Sequence, residues 1–115
     1  MSVKIYHNPR CSKSRQTLEL LQVQGIEPEI IEYLKTPPSA AELNDILEKL
    51  DMEPRELMRK KEAEYKAAGL DDESLSRQAL INGMVNNPIL IERPIVIANG
   101  KAAIGRPPED VLAIL

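Results

Sequence analysis

Apolar and polar residues alternate at the start of the chain. Val3-Lys4-Ile5-Tyr6 has the two-residue period of a strand, and Asn8-Pro9 turns the chain after it. Residues 12–24 shift to a helical period, with Thr17, Leu18 and Leu21 on one face and Gly25 placed for a left-handed C-cap. Glu29-Ile30-Ile31-Glu32-Tyr33 reads as a second strand. Two strands joined through a helix make a βαβ unit, whose strands run parallel.

The middle of the chain is helical. Ser39 and Glu42 form a capping box behind Pro37-Pro38, and Leu43, Ile46, Leu47 and Leu50 follow at helix spacing. Pro54 opens a short helix with Leu57 and Met58 apolar. Residues 60–74 are charged, with Gly69 ending a helical turn, and Arg59 reads locally as one cation on a charged, solvated helix. Ser76 caps a helix carrying Leu80, Ile81, Met84 and Val85, which Asn86-Asn87-Pro88 ends. Ile89-Leu90-Ile91 and Ile95-Val96-Ile97 are apolar runs rich in β-branched residues, and Asn99-Gly100 is a hairpin signal with residues 101–104 as the return strand. Gly105-Arg106-Pro107-Pro108 breaks that strand, and residues 109–115 close the chain as a short helix. The order β-α-β, helices, β-hairpin, α predicts one α/β domain over residues 1–115, with a helical insertion at about 39–87 between the βαβ and ββα parts.

Composition narrows the function classes. A chain of 115 residues fits one domain and can bury a core without metal or disulfide staples. Phe and Trp are absent and Tyr numbers 3, so the core is aliphatic and few platforms exist for stacking single-stranded nucleic acid. The net charge of -3 also argues against a nucleic-acid partner. No apolar run approaches the roughly 20 residues that span a bilayer, and the first residues enter a strand pattern without a signal-peptide core. The one cysteine cannot form an internal disulfide. These features point to a cytoplasmic protein with no membrane partner.

The candidate chemistry lies in YHNPRCSKSR, residues 6–15, which holds the only cysteine and the only histidine. Cys11 sits where a strand turns into a helix, near the first free N–H groups of that helix and among Arg10, Lys13 and Arg15. His7 adds positive charge when protonated. Such surroundings lower a thiol pKa, and the thiolate is the nucleophile. The same amides can cradle an oxyanion. Read one by one, the residues also have plainer roles: a free cysteine as a small core hydrophobe, His7 capping a turn, Ser12 and Ser14 as helix N-caps, Lys13 and Arg15 as surface cations.

The chain resembles the glutathione- and glutaredoxin-dependent arsenate reductases, the ArsC family. The resemblance rests on IYHNPRCSKSR at 5–15, EYLKTPPSAAEL at 32–43, RELMRKK at 55–61, NPILIERPIV at 87–96 and IGRPPEDVL at 104–112. It implies a thioredoxin-like fold, βαβ…ββα around a mixed four-stranded sheet with a helical insertion. It implies that Cys11 is the catalytic cysteine and that Arg59, Arg93 and Arg106 bind the oxyanion. It makes His7, Ser14 and Arg15 neighbours that bind substrate or activate the thiol, and Pro94 the cis-proline beside the active cysteine. No bound cofactor is implied; glutathione is the co-substrate, glutaredoxin the protein partner and arsenate the substrate. Position 14 is Ser, so the chain lacks the Cys-x-x-Cys pair used by other thioredoxin-like proteins and by the Spx-type regulators that bind RNA polymerase. An Spx-like regulator and a glutathione-linked reductase of another substrate are the alternative readings.

Overall fold

In a computed structural model, which describes residues 2–115, the chain divides into two compact units. The first contains residues up to Thr36 and from Arg93 to Leu115; the second is Pro37–Glu92. Strand β1 (Val3–His7), helix α1 (Ser12–Val23) and strand β2 (Glu29–Glu32) begin the first unit, and strands β3 (Ile95–Ala98) and β4 (Lys101–Ile104) with a 3-10 helix at Pro108–Ile114 complete it. The sheet order is β2-β1-β3-β4. Strands β1 and β2 are parallel, as a crossover through α1 requires, and β1/β3 and β3/β4 are antiparallel. The expected mixed four-stranded α/β sheet is therefore present.

Local chemistry explains each turn of this unit. Val3 and Ile5 share a face and pack with Leu21, Val96, Ala98, Val111 and Ile114. On the opposite face Tyr6 and Ile95, register partners, are also buried. Helix α1 buries Ser14, Thr17 and Leu21, three and four positions apart. It ends in a Schellman motif: Gly25 has φ +79, its N–H donates to Gln22 O at 2.9 Å, and the Ile26 N–H donates to Leu21 O at 3.0 Å. Asn99 (φ 55) and Gly100 (φ 72) both lie in the left-handed region, which gives the two-residue hairpin turn a twist matching its strands. Asn99 Nδ2 also donates to Ile114 O at 2.8 Å, tying the turn to the last helix.

Residues 109–115 read as a short helix, and that helix is 3-10 in form. Its N–H groups reach back three residues, as from Asp110 to Pro107 O, and its N-cap Pro107 offers no side-chain acceptor. The strand-like run Ile89-Leu90-Ile91 is a second departure. Pro88–Leu90 is a 3-10 turn, and only Ile91 pairs, in an isolated bridge with Met58. Pro88 fixes φ and has no N–H for a ladder, so the run starts as a turn.

The second unit holds helices α2 (Ala40–Leu50), α3 (Pro54–Leu57), α4 (Ala63–Ala67) and α5 (Arg77–Asn86). Both halves of the Ser39/Glu42 capping box form. Leu43, Ile46 and Leu47 of α2 are buried, as are Leu80, Ile81 and Met84 of α5, and the two helices pack together. Gly69 (φ +71) ends α4 as expected, with its N–H on Lys66 O and that of Leu70 on Tyr65 O. Arg59 follows α3 in non-helical chain, which corrects its reading as part of a charged helix.

Two glycines in the first unit differ in what they protect. A Cβ at Gly25 meets nothing within 4 Å, so Gly25→Ala costs only its left-handed backbone, about 1 kcal/mol. A Cβ at Gly105 overlaps Thr17 Oγ1 and comes within 2.8 Å of Pro94 Cγ. Gly105→Ala is expected to cost more, roughly 1–3 kcal/mol, because buried neighbours must move. Urea unfolding of the two variants beside the parent chain measures both; a smaller loss at Gly105 than at Gly25 contradicts the packing account.

Candidate active site

The sheet register brings three loops to one end of the first unit. Tyr6 pairs with Ile95, and Ile95 pairs with Ile104. The residues just beyond these partners are the loop from His7 to Cys11, the Arg93-Pro94 pair, and Gly105-Arg106. Gly105 N–H donates to Pro94 O at 3.0 Å, and Arg106 Nε donates to Arg93 O at 2.8 Å, which joins the last two loops. The Arg93–Pro94 peptide bond is cis, and so is Arg106–Pro107, which the sequence had not marked. Pro94 is buried and packs within reach of Gly105.

Cys11 is itself the N-cap of α1, with extended backbone (φ -93, ψ 123). Its N–H donates to Asn8 O at 3.0 Å and its carbonyl accepts the Arg15 N–H at 3.0 Å. Ser12 and Ser14 therefore do not cap the helix. Ser14 is fully buried, and its hydroxyl accepts the Asn8 N–H at 3.0 Å while lying 2.6 Å from His7 Nδ1. Burial pushes the His7 pKa below its ordinary 6.5; Glu32 pulls it up and Arg15 pushes it down further. The lowered value favours the neutral ring at pH 7, so the positive charge His7 adds when protonated belongs to lower pH. The Ser14 hydroxyl, one donor with two acceptor lone pairs, can accept the Asn8 N–H and still bond Nδ1 in either direction, so this contact ties the ring to the helix start whichever nitrogen carries the proton.

Cys11 is 8% exposed. Burial alone pushes its thiol pKa up, but the Ser14 backbone N–H, the charge and hydrogen bond of Arg93, and the Lys13 N–H outweigh burial and hold the thiol below its ordinary range. Arg106 Nη2 donates to Cys11 Sγ at 3.5 Å. The Arg106 side chain is exposed, so water screens its charge, whereas Nε and Nη1 of Arg93 are shielded from solvent. Arg93 consequently has the stronger hold on the sulfur. Arg15 is exposed and donates from Nη1 to Pro9 O at 2.9 Å, bracing the loop in front of the thiol. Arg59 belongs to the second unit, where Nη1 pairs with Glu62 Oε1 at 2.8 Å and approaches Ile89 O at 3.5 Å.

The first unit thus gathers Cys11, Arg93, Arg106, His7, Ser14, Arg15 and Pro94. Sequence reasoning missed two residues. Asn8 supplies three hydrogen bonds to the loop, through its N–H, its carbonyl and Oδ1, the last accepting the Arg10 N–H at 3.0 Å. The Asn-Pro pair signalled the turn but not this role. Gly105 looked like a strand breaker, while its packing against Thr17 needed the fold to be seen. Among the described residues no cluster of three or more His, Cys, Asp or Glu could hold a metal, and no helix is long and apolar enough to cross a membrane.

Comparison with known proteins adds to this geometry. The model described as the ArsC family matches residues 6–114. A relative from Escherichia coli strain K12, named "Uncharacterized protein YfgD", is 64% identical over 98% of this chain and 96% of its own. The arsenate reductase of Neisseria meningitidis serogroup B is 52% identical over 98% of this chain and 97% of its own. The solved structure of an arsenate reductase from Vibrio cholerae superposes with a TM-score of 0.96 at 56% identity, covering 100% of this chain and 98% of that one. The α/β architecture is accordingly the thioredoxin-like one.

The lowered thiol predicts a pH profile. A depressed pKa keeps the thiolate populated below the ordinary cysteine range, so alkylation should stay fast as pH falls and drop only at the lower folded pKa. The same sign makes the thiolate a source of stability above the ordinary thiol pKa, which is lost as pH falls through the folded value. Arg93→Met should move the alkylation midpoint upward. A parent midpoint at or above that of free cysteine contradicts the activation described.

Proposed function

The chain belongs to the ArsC family, and from that premise we propose that it reduces arsenate to arsenite, with Cys11 as nucleophile, glutathione as co-substrate and glutaredoxin as the resolving partner. The observation that carries the reading is the recessed Cys11 sulfur, held below its ordinary pKa at a helix start, with Arg93 acting on it and the Arg106 guanidinium at 3.5 Å. Full-length relatives named arsenate reductase support the substrate.

Arsenate is an oxyanion, and a planar guanidinium can bind two of its oxygens at once. Arg93 and Arg106 hold it beside the sulfur in this reading; a third anion-binding role for Arg59, which pairs with Glu62 within the second unit, is what the family resemblance implies. The Cys11 thiolate attacks arsenic and one oxygen leaves as water. The glutathione thiol then attacks the Cys11 sulfur, and the As–S electron pair stays on arsenic, giving As(III). The Cys11 thiol, glutathione and arsenic acid are thereby converted to a mixed disulfide, arsenous acid and one water; the two sulfurs supply the two electrons. Glutaredoxin clears the mixed disulfide by thiol exchange. A reducing cytoplasm is the compartment that keeps such a thiol available.

A coupled assay with arsenate, glutathione, glutaredoxin, glutathione reductase and NADPH tests this. Arsenate-dependent NADPH oxidation should require both glutathione and glutaredoxin, and Cys11→Ser should abolish it. Lysine at Arg59, Arg93 or Arg106 keeps charge but loses the fork, and each change should slow turnover by about 10²–10³. Alkylation during turnover followed by intact mass should find a glutathione-sized adduct on Cys11. A folded parent chain without arsenate-dependent oxidation overturns the reading.

A further inference from the structure

A cavity shares the thiol loop. It encloses about 380 Å³, within the roughly 300–1,000 Å³ of small-ligand pockets. One wall is the loop itself, with Pro9 and Arg10; the other is the end of β2 and the turn after it, with Glu32, Leu34 and Lys35. His7 also lines it. We infer that this cavity seats the amino-acid head group of the external thiol, so that ammonium and carboxylate are recognised together. The inference rests on the reading that an external thiol such as glutathione reacts at Cys11.

The charge pattern points to a zwitterion. Lys35 Nζ stands 3.7 Å from Glu32 Oε1, so a cation and a carboxylate are side by side, and Arg10 adds a second cation. A ligand bearing an α-carboxylate and an α-ammonium can answer both signs. An oxyanion such as arsenate answers only the cations and is repelled by Glu32, which separates this cavity from the arginines near Sγ. Pro9 and Leu34, the latter 42% exposed, give an apolar wall for the methylenes of such a ligand. His7 Nδ1 is engaged by Ser14, so Nε2 is the ring nitrogen left to face a ligand.

The cavity is also preformed, and one of its walls is the loop that leads into Cys11. The Arg10 N–H bonds Asn8 Oδ1, the Cys11 N–H bonds Asn8 O, and Arg15 bonds Pro9 O, so one wall is braced by the same contacts that place the thiol. The Lys35 and Thr36 N–H groups both bond Glu32 O at 2.9 Å, which fixes the other wall. Arg10 directly precedes Cys11, so a head group held there keeps its thiol arm at the active loop.

S-methylglutathione, which cannot form a disulfide, is the probe. Titrated into the isotope-labelled full chain, it should shift the amides of Asn8, Arg10, Glu32, Leu34 and Lys35. Lys35→Glu should weaken that binding about fivefold and raise the KM for glutathione by a similar factor, with the KM for arsenate unchanged. The Lys35 side chain is exposed and its ion pair contributes little to stability, so this variant folds. Absent shifts, shifts confined to residues 93–106, or a Lys35→Glu chain that binds and turns over like the parent overturn the inference. Normal arsenate turnover with an unresponsive cavity sinks the cavity alone. Pocket shifts that Lys35→Glu weakens, in a chain without arsenate turnover, support the cavity and sink the arsenate reading.

Discussion

Everything at this site depends on where one buried hydroxyl sends its bonds. Ser14 lies in the first turn of α1 but reaches back to the end of β1, touching His7 Nδ1 and taking the Asn8 N–H. Strand end and helix start are thereby locked together, and the residues between them have little freedom left. Cys11 falls at the N-cap position as a consequence, where the backbone N–H groups of Lys13 and Ser14 act on its sulfur. A buried hydroxyl with both partners in place is worth more than its bond count, because losing it leaves the buried His7 Nδ1 and the half-buried Asn8 N–H without their partner at once.

The second dependence is on sheet register. Arg93 and Arg106 are separated by a full hairpin, yet they flank the paired residues Ile95 and Ile104. A slip of one residue would turn both side chains to other faces. The Asn99-Gly100 turn, with both residues left-handed, holds the register at the far end of the hairpin, and the Arg106 bond to Arg93 O holds it at the near end. A loop conformation is thus translated, strand by strand, into the position of charge near the sulfur.

How much of this was readable beforehand follows from the range of each interaction. The capping box at Ser39, the glycine stops at Gly25 and Gly69, and the hairpin turn are set by residues within a few positions, and local rules found them. Ser14 misled because its nearest neighbours make it look like a helix cap, while its partners are six and seven residues back. The charge of His7 was left conditional on its protonation, because the burial that lowers its pKa is displayed by no local pattern. Ile89-Leu90-Ile91 had strand composition, but a proline at its head removed the donor a strand needs. Arg93 and Arg106 each precede a proline at a strand end, a suggestive local sign that did not name the thiol as their partner; family resemblance did, and register explains how they get there.

The low exposure of Cys11 would set an order of arrival in the proposed cycle. Only 8% of that residue's surface is open, which suits a slender small molecule better than the blunt tip of another protein. In the proposed cycle the first sulfur to meet Cys11 would therefore be the small one, and a protein reductant would meet that sulfur at the rim instead of the one below. In that cycle the peptide thiol would work as an adapter, carrying the oxidised end of the reaction out to where a large partner can reach it. Selectivity among protein reductants would be decided by what they recognise in the adapter, and the chain itself would need no dedicated docking face.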